Sequence, residues 1–169
     1  MPDYINVFTD GSSLNNQSKE KRRGGVGVWF GENDPRNVSK PLTTEKHGKK
    51  ITNQVAELVA CNIAIETIIS TEKVGKKIIN IYTDSMYIVN SMNTWCKNWE
   101  KNNWKKSDGK QVDNIELIKK LYYYSQNIKC KFIHVRSHQK EPSKTDPTYF
   151  TWFGNQKADE LAVDGAKKS

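Results

Sequence analysis

Residues 3–12 read Asp-Tyr-Ile-Asn-Val-Phe-Thr-Asp-Gly-Ser, and the fold turns on them. Polar and apolar side chains alternate over 3–9, the period of a strand with one buried face. Asp10-Gly11 is turn chemistry that would end it. Working outward, residues 24–30 (Gly-Gly-Val-Gly-Val-Trp-Phe) read as a second strand. The segment 15–23 would connect the two, made basic by Lys19, Lys21, Arg22 and Arg23. A weaker third strand lies at about 37–44. Residues 53–70 carry apolar side chains at helical spacing (Val55, Leu58, Val59, Ile65, Ile68), with Thr52 or Asn53 placed to cap the start.

Further along, Lys77–Thr83 reads as a fourth strand, with a helix beginning at Asp84 or Ser85. Residues 95–112 form a Trp/Lys/Asn segment that is partly helical. A helix over 113–125, a fifth strand over Cys130–Val135 and a last helix from about Asn155 to Ala166 complete the pattern. Three strands, helix, strand, helices, strand and helix make a mixed α/β sheet flanked by helices.

The 169 residues fit one domain spanning 1–169, and no repeat or composition break divides them. No apolar run approaches the length of a membrane span, and the N-terminus lacks a secretory pattern, so an intracellular, cytoplasmic or nuclear protein is expected. Cys61, Cys96 and Cys130 are odd in number and far apart, which suits reduced thiols better than a disulfide framework or zinc site. The net charge of +8 favours a polyanion, nucleic acid before anionic membrane.

Four acidic residues stand at junctions of this pattern. Asp10 ends the first strand, Glu57 lies one turn into the first helix, Asp84 follows the fourth strand, and Asp159 sits in the last helix. Singly, each has an ordinary reading: Asp10 as a turn residue, Asp84 as a helix cap, Glu57 and Asp159 as surface charge. Brought together, they would repel one another unless cations offset them, and an oxygen-only ligand set suits Mg²⁺ or Mn²⁺.

The order of these motifs, with Gly24–Phe30, Trp95 through Trp104 and His-Val-Arg-Ser-His at 134–138, resembles the type 1 ribonuclease H family, nearest its eukaryotic catalytic domain. The resemblance covers about residues 4–167. It implies a ribonuclease H-like fold: a five-stranded mixed sheet, first three strands antiparallel. It also implies an endoribonuclease that cuts the RNA of an RNA–DNA hybrid with two metal ions, leaving 5′-phosphate and 3′-hydroxyl ends. On that resemblance Asp10 bridges two Mg²⁺ ions (Mn²⁺ as a substitute). Asp159 helps hold the ion that activates water, and Glu57 and Asp84 hold the ion at the leaving group. His138 matches the family's loop histidine, which assists proton movement or product release.

For the substrate, the resemblance implies that Asn16, Asn53 and Gln54 contact the strand near the cut. Amides suit the ribose 2′-hydroxyl because they both donate and accept. Tyr87, Trp95 and Trp99 match an aromatic channel for deoxyribose. Lys50, Thr52 and Asn114 match a phosphate pocket, where Lys50 keeps the charge of a more usual arginine but loses its fork. Residues 95–112 correspond to a basic protrusion. One departure stands out: His138 and Asp159 lie 21 positions apart, roughly twice the family gap. The inserted loop, about 139–153, carries Pro142, Pro147, Tyr149, Phe150 and Trp152. It is positioned to cover the site, touch substrate or pack on the surface. A monomer is expected. Two rival readings are another polynucleotidyl transferase of the same fold and a non-catalytic hybrid- or double-stranded-RNA-binding module.

Overall fold

The computed structural model describes residues 3–14, 23–43 and 51–168. Asn16, Lys50 and the basic connection at 15–22 lie outside the described residues. A five-stranded sheet has the order β3-β2-β1-β4-β5. The strands are β1 (Tyr4–Leu14), β2 (Arg23–Trp29), β3 (Val38–Thr43), β4 (Ile78–Thr83) and β5 (Cys130–His134). β1, β2 and β3 pair antiparallel, and β1–β4 and β4–β5 pair parallel, as the resemblance implied.

The helices are α1 (Asn53–Thr71), α2 (Met86–Asn90), α3 (Cys96–Lys101), α4 (Ile115–Asn127) and α5 (Tyr149–Lys167), with a π-helical turn Ser91–Trp95 joining α2 to α3. One face of the sheet packs against α1, burying Val7, Ile79 and Ile81 against Leu58, Ile65 and Ile68. α1 is long and apolar enough by composition to cross a membrane, contrary to the sequence expectation, yet over half of that stretch is buried in this core. The opposite face receives α5.

The motif Gly24–Phe30 explains how α5 comes so close. In a strand, alternate residues face opposite sides. Val26 and Val28 point into the core and are fully buried. Gly25 and Gly27 face α5, where an added Cβ would meet the backbone of Ala158, Ala162 and Ala166. Small residues four apart on the helix and glycines two apart on the strand let the backbones touch.

Three sequence expectations need correction. β1 does not end at Asp10-Gly11. It runs on to Leu14, because β2 keeps pairing with it through Gly11↔Val26 and Leu14↔Arg23. Asp84 is not a helix cap; Ser85 caps α2, its side chain accepting from Ile88 N. The last helix begins at Tyr149 rather than Asn155. Residues 149–153 of the insertion are therefore helix, and only 139–148 form a loop. Phe150 packs edge-on against Phe8 and Tyr82, and this apolar contact extends the helix by nearly two turns.

Candidate active site

β1 and β4 run parallel, and their last paired residues are Phe8 and Tyr82. Just beyond, each strand delivers an aspartate, Asp10 and Asp84, into the crevice at the carboxyl end of the pair. Open α/β sheets bind ligands at such ends. Asp10 has the parity of Phe8 and so faces α5, whereas Thr9 faces α1, with its hydroxyl 3.5 Å from Cys61 Sγ. Gly11 shares the parity of Thr9. A Cβ on it would collide with the backbone of Ala56 and Glu57. The missing side chain lets the first turns of α1 lie directly on the strand.

That contact positions Glu57. The Gly11 amide donates to Glu57 Oε1 at 3.1 Å and to Asp10 Oδ1 at 2.9 Å, so one peptide group orients both carboxylates. Thr52 caps α1, accepting from Val55 N at 3.1 Å. Asn53 does not act as the cap. Its Oδ1 accepts from the Ser13 amide at 3.2 Å and the Ser13 hydroxyl at 2.6 Å, tying the helix start to β1.

Asp10, Glu57 and Asp84 offer oxygens that all lie within 4.8 Å of one another. Asp10 and Glu57 are 4% and 6% exposed, so this is a buried cluster. Asp159 enters from α5 and lines the same cleft, of about 340 Å³, near enough to help raise the Asp10 carboxyl. Gln54 and His138 line it too, and His138 adopts a left-handed backbone conformation (φ 56°).

The electrostatics are those of crowded anions. Burial first, then the charges of Glu57 and Asp84, push the Asp10 carboxyl far above the ordinary carboxylate range. Burial also raises Glu57, with Asp84 adding to it, while hydrogen bonds from Asp10 and the Gly11 amide act against the rise. Both carboxyls are therefore biased toward the protonated form while no cation is bound. Asp84 is raised by burial and by Asp159, and is drawn back by Asp10 and by the imidazoles of His138 and His134. Among the described residues no lysine or arginine lines the cleft. Glu57 Oε2 is buried without a hydrogen-bond partner. An orphaned oxygen amid uncompensated carboxylates fits a hard divalent cation.

The remaining predicted residues fall into a second group. Tyr87, Trp95 and Trp99 form a row, with ring centroids 6.4 Å and 5.9 Å apart in succession. Asn114, in a left-handed conformation at the start of α4, hydrogen bonds Tyr87. Trp104, by contrast, is buried against Tyr122 and serves as the core of the protrusion. Sequence reasoning missed Ser12, Ser13 and Ser85, which also line the cleft, and His134, which faces Asp84. The pairing Thr83↔His134 beside Asp84 is a long-range fact with no local signal.

Comparison with known proteins agrees with this geometry. The family described as RNase H matches residues 2–167. Ribonuclease H1 of Homo sapiens is 36% identical over the whole chain, which spans about half (52%) of that protein's length. Ribonuclease HI of Haemophilus influenzae is 33% identical, covering 99% of this chain and 92% of its own. A crystal structure of a type 1 RNase H with the type 2 active-site motif superposes with a TM-score of 0.70 at 23% identity, covering 99% of this chain and 74% of its own, and so shares the fold. With the matched family spanning nearly the entire chain and three of its acidic residues converging at one strand end, this protein belongs to the ribonuclease H family.

Proposed function

We propose that this protein is an endoribonuclease that hydrolyses the RNA strand of RNA–DNA hybrids, leaving 5′-phosphate and 3′-hydroxyl ends. The observation that carries the reading is the buried carboxylate cluster with an orphaned Glu57 oxygen and, among the described residues, no lysine or arginine lining its cleft. Asp10, Glu57, Asp84 and Asp159 would hold two divalent ions, Mg²⁺ or Mn²⁺. When bound, such ions supply an activated water and offset charge at the leaving oxygen.

The chain's own residues do the rest. The Gly11 amide orients Asp10 and Glu57 together, so the cluster is set before substrate arrives. Asp10, its carboxyl raised by burial and by its anionic neighbours, would ionise as cations bind, because only the ionised carboxylate is a good ligand. His138, at the rim of the cleft, is placed to take or return a proton at the cut linkage. Asn53 spends its carbonyl oxygen on Ser13, which leaves its amide NH₂ for an acceptor such as a ribose 2′-hydroxyl. Gln54 stands next to it, and Asn16 belongs to the same expected set. The Tyr87–Trp95–Trp99 row offers flat apolar faces to the DNA strand. Thr52, Asn114 and Lys50 are read as its phosphate pocket.

A monomer acting inside the cell accompanies this reading; the three cysteines, none in a disulfide, support a reducing compartment. The test offers labelled RNA–DNA hybrid, duplex DNA and duplex RNA, each with Mg²⁺ or with chelator. The proposal requires cutting of the hybrid's RNA alone, and only with metal. Intact hybrid in the presence of Mg²⁺ and Mn²⁺ rejects it.

A further inference from the structure

The inserted loop builds something of its own. Between the end of β5 and the first turns of α5 lies a cleft of about 290 Å³. His134, Arg136 and Lys140 line it, and among the described residues no acidic side chain does. Neither Arg136 nor Lys140 has an ion-pair partner among the described residues, although the protein forms surface pairs elsewhere, such as Arg36–Glu72. The acidic residues of the same loop are turned elsewhere. Asp146 accepts from the Thr148 amide and hydroxyl at 2.8 and 2.7 Å, and Glu141 is exposed outside the cleft. Two fixed positive charges, Arg136 and Lys140, without counter-charge in the cleft favour an anion there, and the His134 ring adds a polar wall.

The cleft is also pre-shaped. Trp152 Nε1 donates to the Gln139 carbonyl at 3.0 Å, closing the loop across 13 residues. Backbone bonds from Asp146 N to Ser143 O and from Tyr149 N to Asp146 O brace its far side. A ligand would therefore not have to order the loop first.

Its place identifies the ligand. His138 lines the carboxylate cleft, and its neighbour Gln139 lines this one. His134 is the cross-strand partner of Thr83, which precedes Asp84. The two clefts are adjacent across a turn of chain. A strand seated at the carboxylates and running past His138 would bring its next phosphates to Arg136 and Lys140. The aromatic row that suits the DNA strand, on α2, the π-helical turn and α3, lines neither of these clefts. The volume suits a phosphate and its sugar rather than a drug-sized ligand.

We propose that His134, Arg136 and Lys140 form a phosphate subsite, built by the 139–148 insertion, that grips the backbone of the RNA strand beside the cut. The inference rests on the proposed hybrid-cutting function and adds to it a grip on the cut strand. Opposite charge at this point holds the scissile strand after the duplex has docked. It lowers KM more than it raises kcat.

The experiment uses the full chain carrying Arg136→Gln with Lys140→Gln, and Lys144→Gln as a charge-matched control in the same loop. Hybrid binding is measured in chelator as a function of salt, and cleavage is measured with Mg²⁺. The double variant should show KM raised several-fold with a smaller change in kcat. Its slope of log affinity against log salt should be shallower by about 1, the value of one phosphate contact. The control should keep the wild-type slope. Hybrids with a single uncharged methylphosphonate, stepped along each strand, locate the contact. The wild type should lose affinity at one RNA position near the cut, and the double variant should be indifferent there. A wild-type slope in the double variant, an equal effect from Lys144→Gln, or a sensitive position on the DNA strand overturns the proposal. If the wild type fails to cut hybrid at all, the catalytic reading falls, and the methylphosphonate scan still decides the subsite separately.

Discussion

Replacing Asp10 by asparagine should abolish cutting and yet make the metal-free protein more stable. Carboxylate oxygens of Asp10, Glu57 and Asp84 lie within 4.8 Å of one another. Ionised at that distance, two such groups would repel by roughly 1 kcal/mol in water and by roughly 3.5 kcal/mol at an effective dielectric of about 20. The folded protein avoids this by keeping Asp10 protonated, so the repulsion bounds what the residue costs the metal-free fold. Asparagine is nearly isosteric, and its Oδ1 can keep the bond from the Gly11 amide. The expected gain is therefore about 1–3 kcal/mol at neutral pH, several degrees in Tm for a chain of this size.

The sign follows from linkage. Unfolded, Asp10 ionises near its ordinary value of 3.8; folded, its pKa lies well above that. Between those two values the folded state binds more protons than the unfolded state, so metal-free stability falls as pH rises. The variant lacks this loss, and the gap between the two proteins should widen from pH 4 toward neutrality. If the cluster holds Mg²⁺ as proposed, the ion should close or reverse the gap, since a ligand of the folded state stabilises it. Urea unfolding of both proteins at pH 4, 5.5 and 7.5, with Mg²⁺ and with chelator, measures each part. A variant less stable than wild type in chelator at pH 7.5, or a gap that does not change with pH, would refute the reasoning.

Other outcomes are expected. Glu57→Gln should lower kcat by at least about 100-fold, read in a hybrid cleavage assay, since its carboxylate is a proposed ligand. Apparent Mg²⁺ affinity of the wild type should rise with pH, because ion binding favours the ionised form of carboxyls that burial and neighbouring charge raise; calorimetry in buffers of different ionisation enthalpy would detect the proton release. His138→Ala should slow turnover while leaving Mg²⁺ affinity unchanged, and unaltered turnover would remove the imidazole from the mechanism. Gly27→Val should destabilise the fold by about 1–3 kcal/mol or more in urea, because the new side chain meets the backbone of Ala158 and Ala162. Trp104→Ala should cost about 3–5 kcal/mol, since the indole is buried within the protrusion.

Much of this molecule was legible in its sequence. Strand and helix periods are local properties of consecutive residues, so β1, β2, β4, β5 and α1 could be recognised from alternation, glycine punctuation and apolar spacing. The four acidic residues were legible for another reason: each sits in a motif whose order matches a family, though no single one would have sufficed. What a linear reading could not settle depended on partners distant in the chain. β1 continues through Asp10-Gly11 only because β2 pairs with it as far as Leu14. α5 starts at Tyr149 because Phe150 finds Phe8 and Tyr82 on the sheet. Glu57 is aimed by an amide 46 residues away. The raised carboxyl groups, and the cationic cleft behind His138, exist only where separate elements meet. Periodicity is written in neighbours along the chain, whereas burial, charge crowding and the shape of a cleft arise from neighbours in space.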